Sequence, residues 1–224
     1  MIKKLQALRA KKGFTLVELI VVIAIIGVLA AILVPTLLGV VTRSRVTSAD
    51  STASSIKTQI DTFLSQADTD GYGMKGVSSY IDQLVISVDA AGKWTINGIT
   101  PDHFKKRAGS SADIAWGGTG TATAGDAKTT DMDPSNLFAL HMADSFPNMK
   151  RTSIYAVLVG GKNCTFVAYT ADTADDITTD VTTDNLVDVA TGDPAKTSAW
   201  DSHNAGIGSA NGYTIGTSPK VGLA

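Results

Sequence analysis

The residues able to do chemistry are few, and most stand apart from one another. The three histidines, His103, His141 and His203, lack the i, i+4 spacing that puts two imidazoles on one helical face to share a metal, so they are expected at the surface or in packing. Asp201-Ser202-His203 holds the residue types of a hydrolase triad, but a triad is assembled in space, and the chain contains no G-x-S-x-G elbow. Gly71-Tyr72-Gly73-Met74-Lys75-Gly76 spells the dinucleotide pattern G-x-G-x-x-G. It follows a helical pattern and does not link a strand to a helix, so it is not placed to cradle a pyrophosphate. The single cysteine, Cys164, excludes an internal disulfide and a multi-cysteine zinc site. Set in an apolar strand, it reads as a small buried hydrophobe. An enzyme is the least supported class.

Aspartates are the other dense group. Twenty of the 21 acidic residues are aspartate, and Asp172, Asp175, Asp176, Asp180, Asp184, Asp188 and Asp193 lie between Lys162 and Lys196 with no basic residue among them. Calcium takes several oxygen ligands, which carboxylates and carbonyls in a tight loop supply, and Asp172, Asp175, Asp176 and Asp180 are the candidate set. The stretch lacks the spacing of an EF-hand loop, so the favoured reading is a solvated acidic edge that discourages strand-to-strand aggregation, no cofactor is expected, and calcium is the alternative.

The remaining acid, Glu18, lies inside an apolar run. From Phe14 to Val41 only Thr15, Glu18, Pro35, Thr36 and two glycines interrupt it. The 21 residues from Phe14 to Val34 would make a helix of about 31 Å, close to the roughly 30 Å hydrocarbon core of a bilayer. Five basic residues and no acid precede it in residues 1–13, which places that end in the cytoplasm and the rest of the chain outside. A secretory signal has a shorter apolar stretch and a small-residue cleavage site. A plain anchor accounts for the run but not for Glu18, because a carboxylate at membrane depth costs roughly 2.5–3.5 kcal/mol on insertion scales and marks a function by default.

The segment Lys11-Lys12-Gly13-Phe14-Thr15-Leu16-Val17-Glu18, continuing through Gly27 to Pro35, resembles the class III signal of type IV pilins and pseudopilins. The resemblance covers about the first 45 residues. It implies that a prepilin peptidase cuts after Gly13 in a basic leader, 1–13, and that Phe14 becomes the N-methylated first residue. It also implies that Glu18 serves assembly, and that Gly27 and Pro35 mark where the helix is locally unwound in filaments. A kinked membrane helix would use the same two residues. Some members of the family bind calcium near the C-terminus, and others close a disulfide loop there, which this chain cannot.

Past the apolar segment, 14–41, the helical pattern continues over 42–67. Val46, Ala49, Ala53, Ile56, Ile60, Phe63 and Ala67 recur at three- and four-residue steps, with polar residues between. Alanines in the seam and few flanking charges favour packing on a sheet over a coiled coil. The turn residues from Asp68 to Gly73 should end the helix near Ala67. In the body, 68–224, Leu84 to Val88 and Lys93 to Ile96 read as a hairpin around Asp89-Ala90-Ala91-Gly92, and Ser153 to Val159 with Cys164 to Thr170 as a second, central one. Thr100-Pro101-Asp102 reads as a helix start leading into His103 to Arg107, and Asp133-Pro134 opens a helix to about Met142. Gly117 to Thr130 has no periodicity and reads as an exposed loop. Further strands are expected near Asn185 to Ala190 and Tyr213 to Gly216.

The fold class expected is α+β, a long N-terminal helix packed by its second half on an antiparallel sheet. The function expected is that of a structural subunit polymerising with copies of itself into an extracellular type IV pilus-like filament, for adhesion, motility or DNA uptake. Its partners would be the prepilin peptidase, the cytoplasmic membrane and the assembly platform. A pseudopilin of a type II secretion system is one alternative; a monomeric membrane-anchored adhesin presenting Trp94, Trp116 and Trp200 to carbohydrate is another. With 19 basic against 21 acidic residues and no basic stripe, no nucleic-acid contact is expected.

Overall fold

The computed structural model describes residues 14–161, 163–171, 177 and 214–219. By contacts the chain divides into two units, Met1–Val41 and Thr42–Ala224. Helix α1, Leu16–Thr69, is helical in both, and its assignment continues through Gly27 and Pro35. In the first unit the helix presents apolar residues to the outside, including Leu16, Ile20, Ile23, Ile26 and Leu33.

In the second unit the three-four stripe is buried from Ala49 on: Ala49, Ala53, Ile56, Ile60, Phe63 and Ala67 are buried, Leu64 joins them, and Val46 at its start is half-buried. From Ala53 on, these residues share one core with Leu84, Ile86, Trp94, Ile96, Ile154 and Leu158 of the sheet, so α1 packs on the sheet as expected; the short helix Pro134–Ser145 joins the same core, Phe138 stacking on Phe63 at 4.8 Å. Each fully buried large aliphatic or aromatic there contributes about 1.5–3 kcal/mol. The helix runs two residues past Ala67. It stops in a Schellman arrangement, with Tyr72 N–H on the Ala67 carbonyl at 2.8 Å and Gly71 N–H on that of Asp68 at 3.1 Å.

The sheet has six antiparallel strands in the order β3-β2-β1-β4-β5-β6. They are β1 Ile81–Val88, β2 Lys93–Asn97, β3 Thr119–Thr123, β4 Thr152–Val159, β5 Asn163–Thr170 and β6 Ile215–Ser218. Both expected hairpins form. In the first, the Asp89 carboxylate accepts the N–H groups of Ala91 at 2.8 Å and Lys93 at 2.9 Å, which holds the β1–β2 turn. Strand β4 lies inside the sheet and all eight of its residues are buried. Its alternation supplies both faces: Ile154, Ala156 and Leu158 join the α1 side, while Tyr155, Val157 and Val159 pack with Phe166, Ala168, Ile177 and Ile215 on the other. A strand covered twice reads as a continuous apolar run, as Ile154 to Val159 do here.

Helix α2, Pro134–Ser145, starts where expected and runs three residues past Met142. Asp133 caps it, its carboxylate accepting Ser135 N–H at 2.6 Å, and Pro134 occupies the first turn, where it sacrifices no intrahelical bond.

Two expectations are corrected. The stretch Gly117 to Thr130 is not all loop: Thr119–Thr123 forms edge strand β3, paired along its whole length with β2. Its inward residues are Gly120 and Ala122, so its two-residue period has no large apolar side chain to reveal it. The smallness is required, because a Cβ on Gly120 would collide with the Ser135 backbone in the first turn of α2. His103 to Arg107 is not helical either. A single 3-10 turn, Pro101–His103, gives way to extended backbone that carries Phe104 into the core, stacked on Trp116 at 4.1 Å. Lys105 N–H bonds the Gly73 carbonyl and Arg107 pairs with Ile114, so these donors are satisfied across the fold and not up a helix. Of the two late strands, β6 begins two residues after Tyr213, and Asn185 to Ala190 lies outside the described residues.

Candidate functional site

Helix α1 begins with a capping box. Thr15 is the residue before the first helical one, and the Glu18 carboxylate accepts both its N–H and its hydroxyl at 2.8 Å. The Thr15 hydroxyl oxygen in turn accepts Glu18 N–H at 3.2 Å. The T-x-x-E spacing produces this reciprocal arrangement, and the negative charge lies at the positive end of the helix dipole. Glu18 thus has a local structural task in the isolated chain. Phe14, just before the cap, is 83% exposed. Gly13 lies outside the described residues.

After the cap, Leu16–Leu37 is 22 residues with mean hydropathy 3.1 and none of it buried, long and apolar enough to cross a membrane. Pro35 sits inside it without an N–H to donate. One residue on, the Thr36 hydroxyl donates to the Leu33 carbonyl at 2.8 Å, a side-chain bond that helps solvate the backbone at this weak point. A surface of this size and composition cannot stay in water, so it must be covered by lipid or by other protein.

The body grips the second half of α1 through polar bonds as well as through its core. Asp50 accepts Thr217 N–H on β6 at 2.9 Å, and Asp61 accepts Cys164 N–H on β5 at 2.9 Å while pairing with Lys57 at 2.8 Å. His141 Nε2 on α2 meets the Gln59 carbonyl at 3.2 Å. The sequence reading missed Asp50 and Asp61; their signal was that each stands one position after a residue of the buried stripe, at the edge of the face turned to the sheet.

The other singled-out residues are structural. His103 is not a free surface residue: its Nδ1 lies 2.8 Å from one carboxylate oxygen of Asp82, whose other oxygen accepts Thr100 N–H at 2.6 Å, and its ring stacks on Tyr80 at 4.2 Å. His141 packs against Phe63, and burial holds it below the ordinary histidine range. Cys164 is buried, and burial pushes its thiol up to about 12, which keeps it unreactive. Gly71 to Gly76 ends a helix and opens none. Trp94 and Trp116 are 1% and 3% exposed, Trp116 donating to the Tyr72 carbonyl at 2.9 Å, so neither can present a face to a sugar. That removes two of the three tryptophans on which the carbohydrate-binding alternative rests; the third, Trp200, lies outside the described residues.

Among the described residues no three His, Cys, Asp or Glu side chains are placed to share a metal. The candidate calcium residues Asp172, Asp175, Asp176 and Asp180 lie outside them, as do Asp201, Ser202 and His203.

Residues 8–34 match the family model described as the prokaryotic N-terminal methylation motif. A fimbrial protein of Moraxella nonliquefaciens is 49% identical over 55 residues, which cover 25% of this chain and 36% of that protein. A fimbrial protein of Pseudomonas aeruginosa is 51% identical over 51 residues, 23% of this chain and 33% of its own. The type IV major fimbrial protein FimA of Dichelobacter nodosus is 46% identical over 54 residues, 24% and 35% of the two chains. The similarity thus spans about a third of the length of these relatives. No solved structure matches the chain significantly. Over its N-terminal quarter the chain is similar to type IV pilins, the family its cleavage motif resembles.

Proposed function

We propose that the chain is a structural subunit of a type IV pilus-like extracellular filament, made as a membrane-anchored precursor and polymerised through α1. The observation that carries this reading is the wholly exposed apolar segment Leu16–Leu37, entered through the Thr15–Glu18 capping box at the end of a prepilin motif. Lipid covers that segment in the precursor, and the same segments of neighbouring subunits cover it in the filament. Prepilin peptidase cuts between Gly13 and Phe14, Phe14 is N-methylated, and Glu18 pairs with the amine of a neighbouring Phe14. An assembly platform in the cytoplasmic membrane drives the transfer from lipid to filament. Gly27 and Pro35 give the helix its weak points for local unwinding on packing. Adhesion, motility and DNA uptake are the activities such a filament serves; a pseudopilus of a type II secretion system is built on the same principle.

Electron microscopy of filaments sheared from the cell surface, with mass spectrometry of their subunit, tests the proposal. Filaments whose principal subunit is this chain support it, and a chain found only as a monomer in the membrane overturns it.

A further inference from the structure

We propose that Arg43 and Arg45 form a collar on α1 that binds lipid phosphodiesters at the exported face of the membrane. The inference rests on the membrane-anchored reading above. Between Leu19 and Ala49 the helix carries two charged residues, Arg43 and Arg45. Both are exposed, and neither makes a hydrogen bond or ion pair among the described residues. The next acid on the helix, Asp50, is 5% exposed and is bonded to Thr217 N–H of β6, so it does not serve them. Two unpaired guanidiniums on a helix surface want anions.

Position decides which anions. Arg43 and Arg45 lie six and eight residues past Leu37, the end of the apolar span, or about 9 and 12 Å of helical rise. Val40 and Val41 carry the apolar surface part of that way. The headgroup layer beyond the hydrocarbon is roughly 5–8 Å thick on each side, so guanidiniums on flexible stems fall within reach of its phosphates. The planar fork of arginine matches a phosphodiester oxygen pair, which a lysine ammonium does not. Two residues apart, the side chains leave the helix in directions about 200° apart, so they take phosphates on opposite sides and fix the depth of the helix.

The test uses the full chain labelled with carbon-13 at the arginine guanidinium carbon. The protein is reconstituted in vesicles of equimolar phosphatidylethanolamine and phosphatidylglycerol in phosphate-free buffer. Carbon–phosphorus dipolar recoupling reports guanidiniums within a few ångströms of lipid phosphorus, and the chain has five arginines, Arg9, Arg43, Arg45, Arg107 and Arg151. Strong dephasing is expected in the native chain, with at least half of it lost in the R43Q/R45Q double variant; the remainder belongs to Arg9 of the leader. Equal dephasing in the two proteins overturns the collar, including the case in which these arginines pair with carboxylates of a second copy. A chain that fails to sediment with the vesicles overturns the membrane-anchored reading itself, and the collar with it.

Discussion

Asp50 of α1 accepts a hydrogen bond from the backbone N–H of Thr217 on β6 at 2.9 Å, across 167 residues of sequence. One residue before Thr217, Gly216 lies so close to α1 that a Cβ there would collide with the backbone of Ala49 and Asp50. The C-terminal strand is therefore seated on the helix by a charge-assisted bond and a close backbone approach. With one cysteine the chain has no disulfide for this purpose, and these contacts, with the β5–β6 ladder, hold the strand.

Replacing Asp50 by Ala removes the acceptor and leaves a buried donor. Hydrogen bonds to charged groups are worth about 1.5–3 kcal/mol, so a loss of about 2 kcal/mol of stability is expected, with faster hydrogen exchange at Ile215 to Ser218 than elsewhere in the sheet. Asp50→Asn keeps an acceptor oxygen and should recover part of the loss. Uniform exchange throughout the sheet in Asp50→Ala would show that the bond does not hold β6 specifically.

How much of this was legible in the sequence differs element by element. The helix stripe was, because Ala53, Ile56, Ile60 and Phe63 state a period that only one surface satisfies. The hairpin of β4 and β5 was, because two runs rich in β-branched and aromatic residues flank the turn residues Gly160 and Gly161. Strand β3 was not, since its core positions are Gly120 and Ala122 and the reason for them lies 15 residues away, in the backbone of Ser135. The extended path after His103 was hidden for a similar reason: it is set by the place Phe104 takes beside Trp116 and by the Asp82 carboxylate, both remote in sequence. At the N-terminal end of α1, Glu18 was conspicuous as a carboxylate in an apolar run. Its bond to Thr15 was equally encoded in the T-x-x-E spacing but was overshadowed by the cost of the charge.

His141 makes stability depend on pH. Its pKa lies below the ordinary value of 6.5 in the folded protein, chiefly because burial penalises the charged form; the Gln59 bond and the nearby Asp144 oppose that only in part. As pH falls below about 6.5 the unfolded chain takes up the proton first, so stability is fully present above that pH and is lost until the folded pKa is passed. His141→Gln should flatten this part of the curve in denaturant melts recorded between about pH 7 and pH 5. An unchanged slope would place the proton uptake elsewhere.

Asp172, Asp175, Asp176 and Asp180 carry two readings, a solvated acidic edge, which the missing loop spacing favours, and a calcium site. A metal that binds only the folded chain raises its melting temperature by mass action. If the aspartates hold calcium, chelation lowers the melting temperature of the purified protein and added calcium restores it. Asn replacements at the four positions together should abolish the difference. Identical melting curves with and without saturating calcium would leave these aspartates as a solvated acidic edge.

Processing is expected to leave Phe14 at the N-terminus with an N-methyl group. Intact-mass measurement and N-terminal sequencing of surface material decide the matter directly. Surface subunits that retain Met1 to Gly13 would be incompatible with assembly as a pilin.

Glu18 is expected to be required for filament growth and dispensable for membrane insertion and for folding of the body. In the isolated chain its carboxylate is engaged by Thr15, at 2.8 Å from both the N–H and the hydroxyl. Cleavage after Gly13 would create a cationic amine on Phe14, four residues before the carboxylate. Opposite charges attract far more strongly in a low-dielectric setting than in water, so pairing offsets part of the cost of burying either. Pairing within one chain would add nothing to assembly, whereas pairing with the amine of a neighbour fixes the axial register as helices stack. Two substitutions separate the cap from the charge. Glu18→Gln retains an oxygen that can accept the Thr15 N–H, so the helix start survives while the charge is lost; Thr15→Val removes the hydroxyl and leaves the charge. In cells lacking the native subunit, both variants should be processed and accumulate in the membrane. Filament yield should fall sharply, about tenfold or more, for Glu18→Gln, in line with losing a charge pair worth more than about 1.4 kcal/mol, and only modestly for Thr15→Val. Equal losses in the two variants would mean that Glu18 acts as a helix cap, and a normal yield from Glu18→Gln would dispose of the register mechanism.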